Sequence, residues 1–304
     1  MKRNEGLSNG DIYVGVIGFG EVGSTFSNTM AERGAFILVH DSRLEQDEGK
    51  KELESRIHHE GIKLTTLDEV LSRSQIILSV VTNQMAEVLA NQIAMKLETE
   101  QIYVDLNSTS PAVKIRICQI IENAGANFVE GAILGAIGAV GVSTHILLAG
   151  GRGEEVAKFL KNLGLNSTFY AADVGKASTF KMLRSIFSKG LEALILELMI
   201  AGRRAGIEGD LWKDIADFMI KNPFDRVAEN WICTHVKACE RRYHEMIQVV
   251  DTMREFDIDP VMSSSTVAFF KRSISFNFDD VFKEKPETYN PVIDFMERQL
   301  TTLD

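Results

Sequence analysis

The segment from Ile12 to Asp41 constrains the fold of this chain more than any other. It contains an apolar β-like run, the turn Gly18-Phe19-Gly20-Glu21-Val22-Gly23, a helix-like stretch and a second apolar run that ends at Asp41. A strand, a G-x-G-x-x-G turn and a helix, followed by an acidic residue about 20 positions on, is the pattern of a dinucleotide-binding unit. The segment therefore predicts a βαβ unit that binds a dinucleotide.

The three glycines have separate roles in this pattern. Gly18 permits the tight turn, Gly20 lets the backbone approach a pyrophosphate, and Gly23 lets the helix pack closely on the strand. The first turn of the helix offers unpaired N–H groups to the phosphates. Asp41 would accept the ribose hydroxyls and repel a 2′-phosphate, which favours NAD, whereas Arg43 two residues on keeps NADP possible.

The composition excludes several classes of protein. The chain has 304 residues, of which 45% are hydrophobic, enough for a large core and two domains. A net charge of −10 disfavours nucleic acid as a partner, because phosphate contacts need clustered Lys and Arg. The three cysteines, Cys118, Cys233 and Cys239, are too scattered for a disulfide framework, and the polar first ten residues do not resemble a signal peptide. These features predict a cytoplasmic protein.

One uncharged segment, residues 131–151, is long enough to resemble a membrane span. Six of its residues are glycine, however, and a polar Ser-Thr-His sequence at 143–145 interrupts the apolar run. Two buried strands joined by a glycine-rich loop explain the segment better, so no membrane association is predicted.

Strand-like and helix-like segments alternate through residues 1–173. This alternation predicts an α/β fold, with a Rossmann-type doubly wound and mostly parallel sheet in an NAD(P)-binding domain. Ligands of such sheets bind at the carboxyl ends of the strands. The groups expected to converge there and bind the cofactor are the turn at 18–23, Asp41, Val81, Thr82, Asn107 and Ser108.

Residues 174–304 show a helical pattern only and predict an all-α domain for substrate binding and dimerisation. With about 100° per residue, the first long helix carries a polar seam formed by Ser178, Lys181, Arg184, Ser185, Ser188 and Glu192. The seam is either a solvent-exposed face or the lining of a cleft between two domains, with Lys181 over the nicotinamide. In the second interpretation, burial and Arg184 lower the pKa of Lys181, which can then exchange a proton during hydride transfer.

A cluster of Cys233, His235, Cys239 and His244 has the residue types of a zinc site. On one helix, however, Cys233 and His244 project to one side, and His235 and Cys239 to nearly the opposite side. Four ligands on two faces cannot meet at one ion, so no metal is predicted.

Together these residues resemble the β-hydroxyacid dehydrogenase superfamily, the group of the 3-hydroxyisobutyrate and 6-phosphogluconate dehydrogenases. The resemblance runs in order through GFGEVG at 18–23, DLNSTSP at 105–111, EGAILGAIGAVG at 130–141 and VGKASTFKMLRS at 174–185. Residues 180–206 and 241–272 resemble the phosphogluconate-dehydrogenase-like branch, which has its own helical C-terminal domain.

The resemblance implies roles for individual residues. It implies that Lys181 is the catalytic lysine, that Ser108 lies beside the nicotinamide and the substrate, and that Gly135 belongs to a loop facing the substrate carboxylate. It also implies a homodimer. The chain departs from the usual motifs at Asn107 and Leu134, where serine is usual, and at Arg184 and Ser185, where asparagines are usual. The departures suggest that the redox chemistry is kept and the usual substrates are not.

The sequence thus predicts an NAD(P)-dependent dehydrogenase acting on a small β-hydroxy acid, with Lys181 as general acid and base and Arg184 and Ser185 near the substrate anion. Oxidation of a β-hydroxy-α-amino acid, or reduction of an imine, is the alternative reaction. A non-catalytic NAD(P)-binding sensor or assembly protein is an alternative of another class.

Overall fold

The computed structural model describes residues 13–301, so Ile12, in the first predicted strand, lies outside the described residues. The strands are β1 (Tyr13–Ile17), β2 (Phe36–His40), β3 (Ile62–Leu64), β4 (Ile76–Ser79), β5 (Ile102–Asp105), β6 (Asn127–Leu134), β7 (His145–Ala149) and β8 (Ser167–Ala171). They form one sheet in the order β3-β2-β1-β4-β5-β6-β7-β8. Only the β6–β7 pair is antiparallel. The predicted doubly wound, mostly parallel sheet is confirmed.

Helices connect the strands and then continue alone. Those within the sheet region are α1 (Glu21–Glu32), α2 (Asp47–Ser55), α3 (Leu67–Arg73), α4 (Asn83–Ile93), α5 (Pro111–Asn123), α6 (Ile137–Val140) and α7 (Gly153–Asn162). Those that follow the sheet are α8 (Lys176–Arg204), α9 (Glu208–Lys221), α10 (Phe224–Glu255), α11 (Val261–Ile274) and α12 (Asn290–Thr301). The predicted succession of a Rossmann-type α/β region and an all-α region is confirmed.

The sheet has apolar side chains on both faces, as a parallel sheet between two layers of helices requires. Val14 and Val16 of β1 belong to one buried cluster, which also contains residues of α1 and α7. Ile17 belongs to the cluster on the other face, which contains residues of α3, α4 and α5. The alternation along β1 therefore places helices against both faces of the sheet.

The uncharged segment 131–151 lies in the sheet. Its two apolar runs belong to β6 and β7, and the glycine-rich connection between them contains the short helix α6. Among the helices of residues 13–301, none combines the length and the apolar character that crossing a membrane would need. The prediction of two strands for this segment is confirmed.

Backbone hydrogen bonds join the carboxyl ends of the central strands. The N–H of Gly18 donates to the carbonyl of His40 at 2.8 Å, and the N–H of Val80 donates to that of Ile17 at 2.9 Å. Leu106 N–H extends the same ladder to Ser79 at 3.0 Å. The loops that follow β1, β2, β4 and β5 therefore begin side by side at one edge of the sheet.

The chain divides into two compact units between Ser185 and Ile186, within α8. The first turn of α8 belongs to the sheet unit, because Ala177 is buried with residues of β6 and β7. The sequence-based limits, 1–173 and 174–304, instead divide the chain just before α8. In the helical unit, α10 contributes to a core rich in phenylalanine, which includes Phe278, Phe282 and Phe295.

Candidate active site

The glycine-rich turn between β1 and α1 contains two glycines that the fold itself requires. Gly18 has a φ of +98°, and a Cβ there would lie 2.5 Å from the carbonyl oxygen of Val80. A Cβ on Gly23 would lie 2.1 Å from the carbonyl oxygen of Gly18. Neither position accepts a side chain without a backbone shift, so these two glycines allow the turn and the close approach of α1.

Gly20 differs from the other two, because a Cβ at this position would meet nothing within 4 Å. Its φ of −72° and ψ of −158° lie in the extended region that other residues adopt. Gly20 is also the N-cap residue of α1, and no side chain caps the first N–H groups of this helix. Open space beside an uncapped helix N-terminus fits a pyrophosphate group.

Asp41 follows β2 and is held in its ionised form. Its Oδ2 accepts a hydrogen bond from the Phe19 N–H at 2.7 Å, and both carboxylate oxygens accept from Arg43, each at 2.9 Å. Burial alone would raise the pKa of Asp41, but the hydrogen bonds from Arg43 and Phe19 outweigh it and lower the pKa to about 2. Asp41 thus joins the glycine-rich turn to the end of β2, with Arg43 between its carboxylate and solvent.

A cavity of about 290 Å³ lies at the carboxyl edge of the sheet. It is lined by Glu21, Val22, Val80, Val81, Asn83, Leu106, Asn107, Ser108, Ile133, Gly135, Ala136, Ile137 and Lys181. The structure therefore brings the start of α1 together with Val81, Ser108, Gly135 and Lys181. Thr82, Arg184 and Ser185 do not line this cavity.

Two neighbouring polar residues of the cavity wall are oriented differently. Ser108 is exposed. Asn107 is 4% exposed, and its amide donates hydrogen bonds to Asp105 Oδ1 at 2.5 Å and to Ser79 Oγ at 2.9 Å. The amide of Asn107 is therefore committed to the sheet, and Ser108 is the residue of this pair that offers a hydroxyl at the surface.

Lys181 is half-buried and lies on α8 at the cavity wall. Burial and the positive charge of Lys114 lower its pKa. The sequence-based assignment of the neighbouring cation to Arg184 was wrong: Arg184 is exposed, and Lys114 of α5 acts on the amine instead. Ser185 donates its hydroxyl to the Lys181 carbonyl at 3.0 Å.

Two smaller predictions concern helix starts and metal binding. Thr82 is the N-cap residue of α4, as predicted, but its hydroxyl makes no capping hydrogen bond. Within residues 13–301, no group of three or more His, Cys, Asp or Glu side chains is arranged to hold a metal ion.

Sequence reasoning missed a buried ionic group behind the cavity, formed by Asp105, Lys114 and Glu130. It also missed Asn83 and the apolar wall residues. A signal for Lys114 was available, because Lys114, Ile117, Cys118 and Ile121 have the i, i+3, i+4, i+7 spacing of a buried helix face.

The comparisons with known proteins agree with this geometry. Residues 13–171 match the NAD binding domain of 6-phosphogluconate dehydrogenase, and residues 203–273 match a domain of unknown function. The chain therefore belongs to the family with the 6-phosphogluconate dehydrogenase type of NAD-binding domain. This identification confirms the resemblance found in the sequence.

Individual relatives differ in what is known of them. A solved conserved protein of unknown function, described as structurally similar to 3-hydroxyacid dehydrogenases, is 31% identical with a TM-score of 0.58, covering 86% of this chain and 96% of that one. Mitochondrial 3-hydroxyisobutyrate dehydrogenase of Mus musculus is 22% identical over 65% of this chain and 59% of the enzyme. An imine reductase from Myxococcus stipitatus in complex with NADP+ has a TM-score of 0.74 at 18% identity, covering 93% and 99%, and shows the shared fold.

Proposed function

We propose that this chain is an NAD(P)-dependent oxidoreductase that transfers a hydride between the cofactor and a small substrate with a β-hydroxyl and an anionic group. The observation that carries the proposal is the position of Lys181. Its amine has a lowered pKa and lines the same cavity as the start of α1 and Ser108. An amine that loses its proton easily, next to a cofactor site, suits proton exchange with a reacting hydroxyl.

Several groups of the chain would hold the cofactor. The open space at Gly20 and the N–H groups of α1 would bind the pyrophosphate, and Asp41 would accept the adenosine ribose hydroxyls. Val81 and Ser108 would flank the nicotinamide side. The nicotinamide ring accepts a hydride from the carbon that bears the substrate hydroxyl.

Lys181 would manage the proton of this reaction. In the oxidation, its neutral amine accepts the hydroxyl proton as the hydride leaves the adjacent carbon, so the alcohol becomes a carbonyl and the amine becomes an ammonium. In the reduction, the ammonium returns that proton to the carbonyl oxygen. Ser108 would hold the same oxygen by a hydrogen bond, and the apolar wall of Ile133 and Ile137 would exclude water from the reacting atoms.

The substrate is expected to differ from the usual substrates of the resembling dehydrogenases. Asn107 replaces a serine and donates to Asp105 and Ser79, so its amide does not serve a ligand. We propose Gly135 in the loop beside the substrate carboxylate, and Arg184 with Ser185 as further candidates for binding the anion. The backbone of Gly135 has a φ of +141°, which favours glycine and leaves the cavity wall without a side chain there.

The proposal is tested by following NAD(P)H formation with a panel of β-hydroxy acids, β-hydroxy-α-amino acids and amines, with each cofactor in turn. We expect turnover with a β-hydroxy acid and a preference for NAD, because Asp41 is ionised and repels a 2′-phosphate. Turnover with amines alone would identify amine oxidation or imine reduction instead. NADH binding without any turnover would favour a non-catalytic sensor, and a large preference for NADP would contradict the argument from Asp41.

We also propose that the chain forms a homodimer through its helical unit, in the cytoplasm. Large apolar side chains of α8 and α9 are exposed, such as Ile186 at 71%, Ile200 at 52% and Ile220 at 82%. Exposed apolar residues in this number favour an interface with a second copy. Light scattering should give twice the mass of one chain, and Ile200→Glu should reduce that mass to one chain. Glu192→Lys, an exposed change on the same helix, should not.

A further inference from the structure

Lys114 is buried to an extent that is unusual for lysine. It lies on α5, is 1% exposed, and shares its helix face with the apolar residues Ile117 and Ile121. A buried ammonium group is strongly destabilising unless hydrogen bonds and opposite charges replace its hydration. The position of Lys114 therefore requires a set of compensating groups.

Three oxygen atoms surround the amine of Lys114. Its Nζ donates to the carbonyl oxygen of Asp105 at 2.7 Å and to that of Gly131 at 3.4 Å, and it lies 3.2 Å from Asp105 Oδ2. Burial lowers the pKa of Lys114, whereas the charges of Asp105 and Glu130 raise it. Three acceptors match the three N–H groups of an ammonium, and a neutral amine would turn its lone pair towards one of them. The surroundings therefore hold Lys114 in its charged form.

The two carboxylates come from neighbouring strands. Asp105 of β5 and Glu130 of β6 are partners in the parallel register, and both are fully buried. Glu130 accepts hydrogen bonds from the Gly175 N–H at 2.5 Å and from the Ser178 N–H at 2.6 Å. It thereby fixes the first turn of α8, and Lys181 follows Ser178 by one turn of that helix. The cluster is thus connected to the backbone that carries the candidate acid–base group.

The charged groups around the Lys181 amine come from three directions. Glu21 of α1 is the other ionisable residue among those that line the cavity. Lys114 lies behind the cavity with Asp105 and Glu130, and Arg184 on the same helix as Lys181 is exposed. Of these groups, Lys114 is the one whose charge lowers the pKa of Lys181, in addition to burial.

We infer that Lys114 is a positioning residue of the proposed active site, whose buried positive charge keeps the Lys181 amine in its neutral, proton-accepting form. This inference rests on the proposed function of the site. Protonation of Lys181 would place a second positive charge near the first in a region of low dielectric constant, which is unfavourable. Asp105 keeps Lys114 charged, and Glu130 keeps α8 at a fixed position relative to it.

Competitive labelling with a limiting amount of acetic anhydride, followed by mass spectrometry of each lysine over a range of pH, tests this inference without a substrate. Lys114→Met removes the charge and keeps the length of the side chain. Without the charge the protonated form of Lys181 is favoured, so its pKa rises. We expect the labelling of Lys181 at neutral pH to fall several-fold and its midpoint to move to higher pH.

A second variant guards against loss of the fold, since Lys114→Met leaves Asp105 without its counter-ion. Lys114→Met combined with Asp105→Asn removes both charges and keeps an oxygen that accepts from Asn107. The midpoint of Lys181 should rise in this variant too. Arg184→Met is the matched control, because it removes the nearby exposed cation, and it should leave the midpoint at the value of the parent protein.

The outcomes separate the inference from the proposed function. A midpoint of Lys181 that stays unchanged in both Lys114 variants overturns the inference, even where the melting temperature falls, because it assigns Lys114 a purely structural role. A raised midpoint in a protein that turns over no substrate supports the charge coupling and contradicts the proposed function instead. In an active enzyme, the acidic limb of the kcat profile for oxidation should move to higher pH together with the midpoint.

Discussion

Lys181→Met is expected to lower kcat for hydride transfer by about 100- to 10,000-fold, the range that general acid–base catalysis contributes. The lysine lines the candidate cavity, and burial together with Lys114 lowers its pKa. Methionine keeps the apolar stem and removes the proton-accepting nitrogen. The measurement is kcat on the substrate that the panel identifies, with NADH binding followed by fluorescence. Binding should stay close to that of the parent protein, because the pyrophosphate site at α1 is untouched.

The pH profile gives this prediction a second readout. In the parent protein, oxidation should accelerate with rising pH as Lys181 loses its proton, and it should level off above the pKa of Lys181. That pKa lies below the ordinary value of lysine. The Lys181→Met variant should lack this limb. Lys176→Met, an exposed lysine at the start of the same helix, should keep both the rate and the limb. Turnover of Lys181→Met within a few-fold of the parent protein would show that another group carries the proton.

The parts of the fold that follow from local patterns were predictable. Alternating strands and helices gave the doubly wound sheet, and the glycines in 131–151 distinguished two strands from a membrane helix. The boundary between the compact units was less accessible. The sequence shows where helix-only pattern begins, near residue 174, but Ala177 packs on the sheet, and the division falls within α8. Contacts across the sheet, not the helical period, decide that point.

The candidate site shows the same limit. The helical period places Arg184 three residues after Lys181, so the sequence suggests Arg184 as the cation that acts on the lysine. The period cannot show that Lys114 acts on it from the interior. That arrangement needs the β5–β6 register, which sets Asp105 beside Glu130, and the hydrogen bonds by which Glu130 holds the start of α8. Similarly, Asp41 was predictable as an acid at the end of β2, but its bidentate contact with Arg43 was not.

Gly23→Ala is expected to lower the free energy of unfolding by about 3 kcal/mol or more, at the upper end of overpacking effects. The new Cβ would lie 2.1 Å from the carbonyl oxygen of Gly18, and a backbone atom cannot turn aside as a flexible side chain can. Gly20→Ala should change the same free energy by no more than about 1 kcal/mol, because its Cβ meets nothing within 4 Å and its φ is accessible to alanine. Urea denaturation of both variants measures the difference.

The same two variants separate the fold from ligand binding, because Gly20 has no structural need to be glycine within its own turn. If its open space is where a pyrophosphate approaches α1, a methyl group there should weaken NADH binding at least about tenfold, or 1.4 kcal/mol, in a protein as stable as the parent. Fluorescence titration with NADH measures this. An unchanged affinity in Gly20→Ala would place the pyrophosphate elsewhere and remove the main structural support for the cofactor site. A loss of affinity would instead assign Gly18 and Gly23 to the turn, and Gly20 to the ligand.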